Sequence, residues 1–149
     1  MIMSFLVVFF CFHSIAEMPP DSRHPVKLSQ EQAAHQLAKM RTYLEIMADI
    51  SDALKDKNFS TIESRSEKLV TLTQPRSSCG KETEQVKAFM QMGASLNQNA
   101  RELLNSARTK HFENVLVSYS TTLRTCVACH SSYRQDIGGG KLSWPTKKK

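Results

Sequence analysis

Cys126, Cys129 and His130, in the stretch RTCVACHSSYRQ from Arg124 to Gln135, set two thiols three residues apart with an imidazole directly behind the second. Three chemistries use a Cys-x-x-Cys pair. A redox dithiol of the thioredoxin type sits where a strand turns into a helix within a βαβ unit, and this chain offers no strands to supply one. A structural zinc site needs four ligands, commonly from two paired modules. Cys126, Cys129 and His130 would have to recruit Cys79 or one of His24, His35 and His111, none of which forms a second module. Covalent haem attachment uses Cys-x-x-Cys-His as a complete unit. On a helix, positions i, i+3 and i+4 share one face, so each thiol can add to one porphyrin vinyl group while the imidazole reaches the iron. The spacing therefore points to one haem c, held by two thioethers with His130 as an axial ligand, and leaves zinc as the alternative.

Those residues need a helix, and the sequence supplies four apolar stripes of helical period. Behind a proline-marked leader, Ser29-Gln30-Glu31-Gln32 reads as a capping box, and Leu37, Met40, Leu44, Met47 and Leu54 recur at spacings suited to one helix face until about Lys57. Asn58-Phe59 interrupts the pattern. Ser60-Thr61-Ile62-Glu63 is a second capping box, followed by Ile62, Leu69 and Leu72 and stopped by Gln74-Pro75. A loop with Ser77, Ser78, Cys79 and Gly80 leads to a third stripe, Val86, Phe89, Met90, Gly93, Leu96, Ala100, Leu103 and Leu104. The fourth comprises Phe112, Val115, Leu116, Tyr119, Leu123, Cys126, Cys129 and Tyr133, ending at Gly138-Gly139-Gly140. Ser106 or Thr109 is the expected cap between the last two helices. No segment alternates with period two, so strands are not expected. The predicted class is all-α, an antiparallel four-helix bundle in which each stripe is buried against its neighbours.

Composition narrows the function further. The chain has 149 residues, enough for one domain. Residues 1–16, with an apolar run from Ile2 to Phe12 and small residues at Ser14 and Ala16, read as a secretory signal cleaved before Glu17, although no Lys or Arg precedes the run. That run is short of the roughly 20 residues needed to span a membrane. The expected organisation is thus a signal (1–16), a helical domain (17–137) and a basic tail (138–149), located in the periplasm without stable membrane insertion. Three cysteines remain after the signal, an odd number that argues against a disulfide framework. Of the formal net charge of +6, four charges sit on Lys141, Lys147, Lys148 and Lys149. This reads as a solvated tail, and no nucleic-acid partner is expected. Nothing resembles a nucleophile with its base, a phosphate loop or an acidic metal cluster, so the chain is not read as an enzyme.

A bundle whose last helix carries CVACHSSYR near its end resembles the cytochrome c-prime superfamily, the class II c-type cytochromes. The resemblance spans nearly the whole chain after the signal in helix order, but only Cys126–Arg134 carries it at residue level. It implies that Arg134, four residues beyond His130, lies close to the proximal imidazole or a haem propionate. It also implies that the first helix supplies whatever faces the iron on the other side. Counting back from ALKDKNF, which resembles the family's exit from that helix, places this position on Met40, with Met47 two turns later as the fallback. A methionine there gives a six-coordinate electron carrier; an apolar, non-ligating residue gives a five-coordinate haem that binds nitric oxide or carbon monoxide. Met in an apolar stripe is otherwise ordinary core, as are Tyr43 and Leu44, which flank the proposed ligand, and Phe89, Met90 and Phe112, which could line a haem pocket. His35 lies off the main stripe. The expected function is single-electron transfer with periplasmic redox proteins, met through an acidic docking face on the partner; the resemblance makes a homodimer through the first two helices possible.

Overall fold

The computed structural model describes residues 20–75 and 84–138. The expected signal segment, the Cys79 loop and the tail from 139 to 149, including Trp144, lie outside the described residues. In chain order the elements are β1 (His24–Lys27), α1 (Gln30–Lys55), α2 (Phe59–Leu72), α3 (Glu84–Arg108), α4 (Phe112–Ser132) and β2 (Tyr133–Asp136). The four helices pack as an antiparallel bundle, as their stripes require. Closest approach is between α1 and α2, α2 and α3, and α3 and α4, whereas α1 and α4, which would close the ring, barely touch through their backbones.

Local chemistry sets the helix ends. At the start of α1, Gln32 N–H donates to Ser29 Oγ at 3.1 Å and Ser29 N–H donates to Gln32 Oε1 at 2.8 Å, the reciprocal capping box expected. α1 ends when Lys57 takes a left-handed φ of 51°, letting Asn58 N–H reach Ala53 O at 2.9 Å and Lys57 N–H reach Leu54 O at 3.3 Å. α2 then starts two residues earlier than the Ser60 box implies, because Asn58 Oδ1 accepts from Thr61 N–H at 3.1 Å. The break between α3 and α4 uses neither Ser106 nor Thr109 as a cap. Lys110 is left-handed with φ 54°, and His111 Nδ1 accepts from Asn114 N–H at 3.4 Å. α4 stops at Ser132, short of the glycine run.

The expectation of no strands fails at both ends of the bundle sequence. β1 and β2 form a short parallel ladder pairing His24 with Tyr133, Pro25 with Arg134, Val26 with Gln135 and Lys27 with Asp136, extended by Leu28 N–H to Asp136 O at 2.9 Å. Each strand has only four residues, HPVK and YRQD. Too short for a readable alternation, they exist because the fold brings remote segments together. The bundle class itself stands.

Burial is uneven along the bundle. Ile46, Met47, Ile50 and Ala53 of α1, Ile62, Leu69 and Val70 of α2, Ala100, Leu103, Leu104 and Ala107 of α3 and Val115 of α4 make one dense core. A buried polar lock joins it: Asn97 Nδ2 donates to Val70 O at 2.8 Å and to Thr73 Oγ1 at 2.9 Å. All these residues lie toward the α1–α2 and α3–α4 turns or at mid-bundle. Toward the other end, Leu37, Met40, Phe89, Met90, Met92, Leu96, Leu123, Cys126 and Cys129 are only half-buried. Truncating the packed half should therefore be costly: Leu103→Ala, at a fully buried position, is expected to lose about 2–5 kcal/mol. Urea unfolding checks this as a lower midpoint with an unchanged slope.

Candidate functional site

Two seams face each other across the gap between α1 and α4. Tyr119 donates from its hydroxyl to Met47 O at 3.2 Å, turning that side of α4 toward α1. Continuing along α4 at steps of four, three and four, the same face carries Tyr119, Leu123, Cys126 and His130. Going back along α1 at steps of three, four and three, the facing side carries Met47, Leu44, Met40 and Leu37. The helices are antiparallel, so two turns beyond Tyr119 on α4 lie level with two turns before Met47 on α1, about 10 Å from the anchoring hydrogen bond. Cys126 and Met40 occupy those levels.

The seams are closed at the anchor and open beyond it. Met47 is 3% exposed and part of the core, while Leu44, the next residue on its seam, is 70% exposed. Met40 and Leu37 are half-buried, as are Leu123, Cys126 and Cys129, and His130 is exposed. Val127, beside Cys126 on the rim, is 64% exposed. An apolar stripe is normally buried by the neighbouring helix. Here Met40 and Leu123 pack against the edge of the core, while Leu44 faces solvent.

Cys126, Cys129 and His130 sit on adjacent turns of α4. Both cysteines are free thiols, and Cys126 Sγ donates to Thr122 O at 3.5 Å. Burial pushes both thiols up from their ordinary value, and the neighbouring Cys126 raises Cys129 further, so both are protonated at neutral pH. The imidazole of His130 makes no hydrogen bond among the described residues, although its backbone carbonyl accepts from Arg23 Nη1 at 3.2 Å. His24 packs its ring on Tyr133 at 5.9 Å, His35 is exposed on α1 and His111 caps α4. Among the described residues no three of the His, Cys, Asp and Glu side chains converge to hold a metal ion.

Arg134 follows in β2. Its Nε is buried without a hydrogen-bond acceptor, its nearest carboxylate oxygen being Asp21 Oδ2 at 3.9 Å. A buried guanidinium N–H without a hydrogen-bond acceptor is costly, and the ion pair with Asp21 offsets part of that cost. The donor set thus fits a covalently held haem: two free thiols and an imidazole at the motif spacing on a part-exposed helix face, with the Met40 thioether at a matching level of α1.

Sequence reasoning missed Asp21 and Arg23. Arg23 Nε and Nη2 donate to the two oxygens of Asp21 at 2.9 and 2.8 Å, and no local pattern marks them, since their target is 107 residues away. The Arg23 side chain, then its backbone N–H, holds the Asp21 carboxyl below the ordinary 3.8, at about 2. A carboxyl depressed in the folded state stabilises it above the unfolded value and stops doing so as pH falls through the folded one. The Asp21–Arg23 pair should therefore hold above about pH 4 and loosen between pH 4 and about 2. Amide exchange across Arg23–Leu28, followed against pH, should show this loosening; protection unchanged down to pH 2 would count against the pairing.

No family model matches this chain, and no curated protein matches it. Among solved structures, the crystal structure of cytochrome c′ from Thermochromatium tepidum is similar over 74% of this chain and 100% of that one, with a TM-score of 0.60 and 18% identity. At this identity the likeness concerns the fold: the helices have the arrangement of the cytochrome c′ four-helix bundle.

Proposed function

We propose that this chain is a c-type cytochrome that carries single electrons in the periplasm. The observation that supports the reading is the placement of Cys126, Cys129 and His130 on one part-exposed face near the end of α4, in a bundle with the cytochrome c′ arrangement and with Met40 at a matching level of α1. Cys126 and Cys129 would hold one haem c through thioethers, His130 would bind the iron on the α4 side and Met40 on the α1 side. Arg134, four residues beyond His130, would lie near the proximal imidazole or a propionate. Met47 is a poorer candidate than Met40, because it is committed to the core beside the Tyr119 hydrogen bond.

When bound, the haem supplies an Fe(III)/Fe(II) couple. The protein's part is to keep both axial donors fixed, so that electron gain moves few atoms. His130 is carried by the last turns of a 21-residue helix, and Met40 sits inside a 26-residue one whose far half is locked in the core. A thioether opposite an imidazole raises the potential relative to harder ligands. No substrate bond is made or broken in this reading, and the partners would be redox proteins offering an acidic face to a chain of net charge +6. Among the described residues, no helix is long and apolar enough to cross a membrane. A second copy docked through the first two helices is compatible with electron transfer.

The test is the optical spectrum of protein produced with a working cytochrome c maturation system. Pigment retained after acid-acetone extraction, sharp alpha and beta bands when reduced and a weak charge-transfer band when oxidised support the carrier. Retained pigment with a broad high-spin reduced spectrum would move the assignment to a five-coordinate gas-binding haem. Colourless protein containing zinc would remove haem altogether.

A further inference from the structure

The motif end of the α1–α4 pair has a backbone fastening. β1 leads directly into α1 and β2 leads directly out of α4, so their ladder joins the two helices whose backbones otherwise approach at few points. In a parallel ladder alternate residues of one strand bond the other. With Leu28 N–H on Asp136 O, the alternation turns Val26 N–H toward β2 and leaves the Pro25 nitrogen facing away, which is why a proline is tolerated there. Arg23 adds a second tie. The His130 carbonyl is one of the last four of α4, which find no partner within the helix, and Arg23 gives it both a donor at 3.2 Å and a positive charge at the negative end of the helix dipole. Asp21 orients that guanidinium with two hydrogen bonds. Tyr133, at the ladder's first pair, is held between His24 at 5.9 Å and the edge of Phe89 at 5.4 Å, which ties the ladder to α3 as well.

We propose that this clip sets the spacing of α1 and α4 at the motif end and thereby holds Met40 on the iron that His130 carries. Arg23 and Val26 are positioning residues: neither meets the iron, and each fixes the end of a helix that does. The inference rests on the haem reading above. It accounts for why the chain spends a leader on the motif end of α4 when the dense core lies at the other end of the bundle.

The experiment compares holoprotein carrying Val26→Pro with the unmodified holoprotein and with Val26→Thr, which keeps both the N–H and the β-branch. Val26→Pro should speed amide exchange in β2 and the first turn of α1, leave the core of α2 and α3 protected, add a high-spin component to the oxidised spectrum and raise carbon monoxide affinity about tenfold or more. Val26→Thr should behave as the unmodified protein. Arg23→Ala, at an exposed position outside the core, should shift the same signals in the same direction, and it carries the test if Val26→Pro does not fold. A loosened ladder with an unchanged low-spin spectrum and unchanged carbon monoxide affinity would overturn the proposal, leaving a purely structural clip. An unmodified protein that is already high-spin would also overturn it, since Met40 would then be held to nothing. If the unmodified protein retains no pigment, the haem reading itself has failed, and that result appears before any variant is made.

Discussion

A chain carrying both Cys126→Ala and Cys129→Ala should surrender its pigment to acid-acetone, with covalently retained haem at least about tenfold lower than in the unmodified protein. The substitution is a clean one. Neither sulfur is in a disulfide, and their recorded polar contact is the weak one from Cys126 to Thr122 O. Alanine is the better helix former by up to ~0.7 kcal/mol per position, so α4 should persist in far-UV circular dichroism. Loss of colour without loss of helix therefore reports attachment and not folding. Each single variant keeps one thioether and should retain an intermediate amount of pigment. The double variant should also unfold at a lower temperature, because Leu37, Met40 and the 70%-exposed Leu44 then have nothing to cover them. Full retention of pigment in the double variant would end the covalent reading.

What the sequence made legible, and what it hid, follows from how local each signal is. The motif, the capping box at Ser29 and the four stripes depend on neighbours within one or two turns, and the bundle follows from the stripes. The helix boundaries were harder. Both αL exits fall on lysine, Lys57 and Lys110, where glycine would have announced them, and the α4 cap is a histidine instead of Ser or Thr. Lys57 is supported by its ammonium lying 4.8 Å from the centre of the Phe112 ring, a contact between elements that no local pattern encodes. The clip was illegible for the same reason: HPVK and YRQD gain their hydrogen bonds from each other, across the whole chain. Leu44 belongs to the apolar stripe of the first helix yet is 70% exposed, and the stripe alone cannot distinguish such surplus apolar surface from core.

Met40→Ala should turn a low-spin iron into a high-spin one and raise affinity for carbon monoxide by about 10- to 1,000-fold. The magnitude follows from populations. If Met40 leaves the iron 0.1–10% of the time, as minor states of folded proteins typically do, an external ligand sees its affinity reduced by that fraction, and deleting the thioether removes the penalty. The fold should tolerate the change better than Met47→Ala would. Met40 is half-buried against the core edge, whereas Met47 is 3% exposed within it, so truncating Met47 should cost ~2–5 kcal/mol. The pair of variants thus separates two roles that a methionine in an apolar stripe can play. Met40→Ala should change the spectrum with little effect on stability. Met47→Ala should lower the urea midpoint with little effect on the spectrum. The reverse pattern would give the iron to Met47 and require the Tyr119–Met47 contact to open. An unchanged low-spin spectrum in both would give the sixth position to a donor other than these two thioethers, whereas an unmodified protein that is high-spin from the outset would be a five-coordinate haem protein open to a gas.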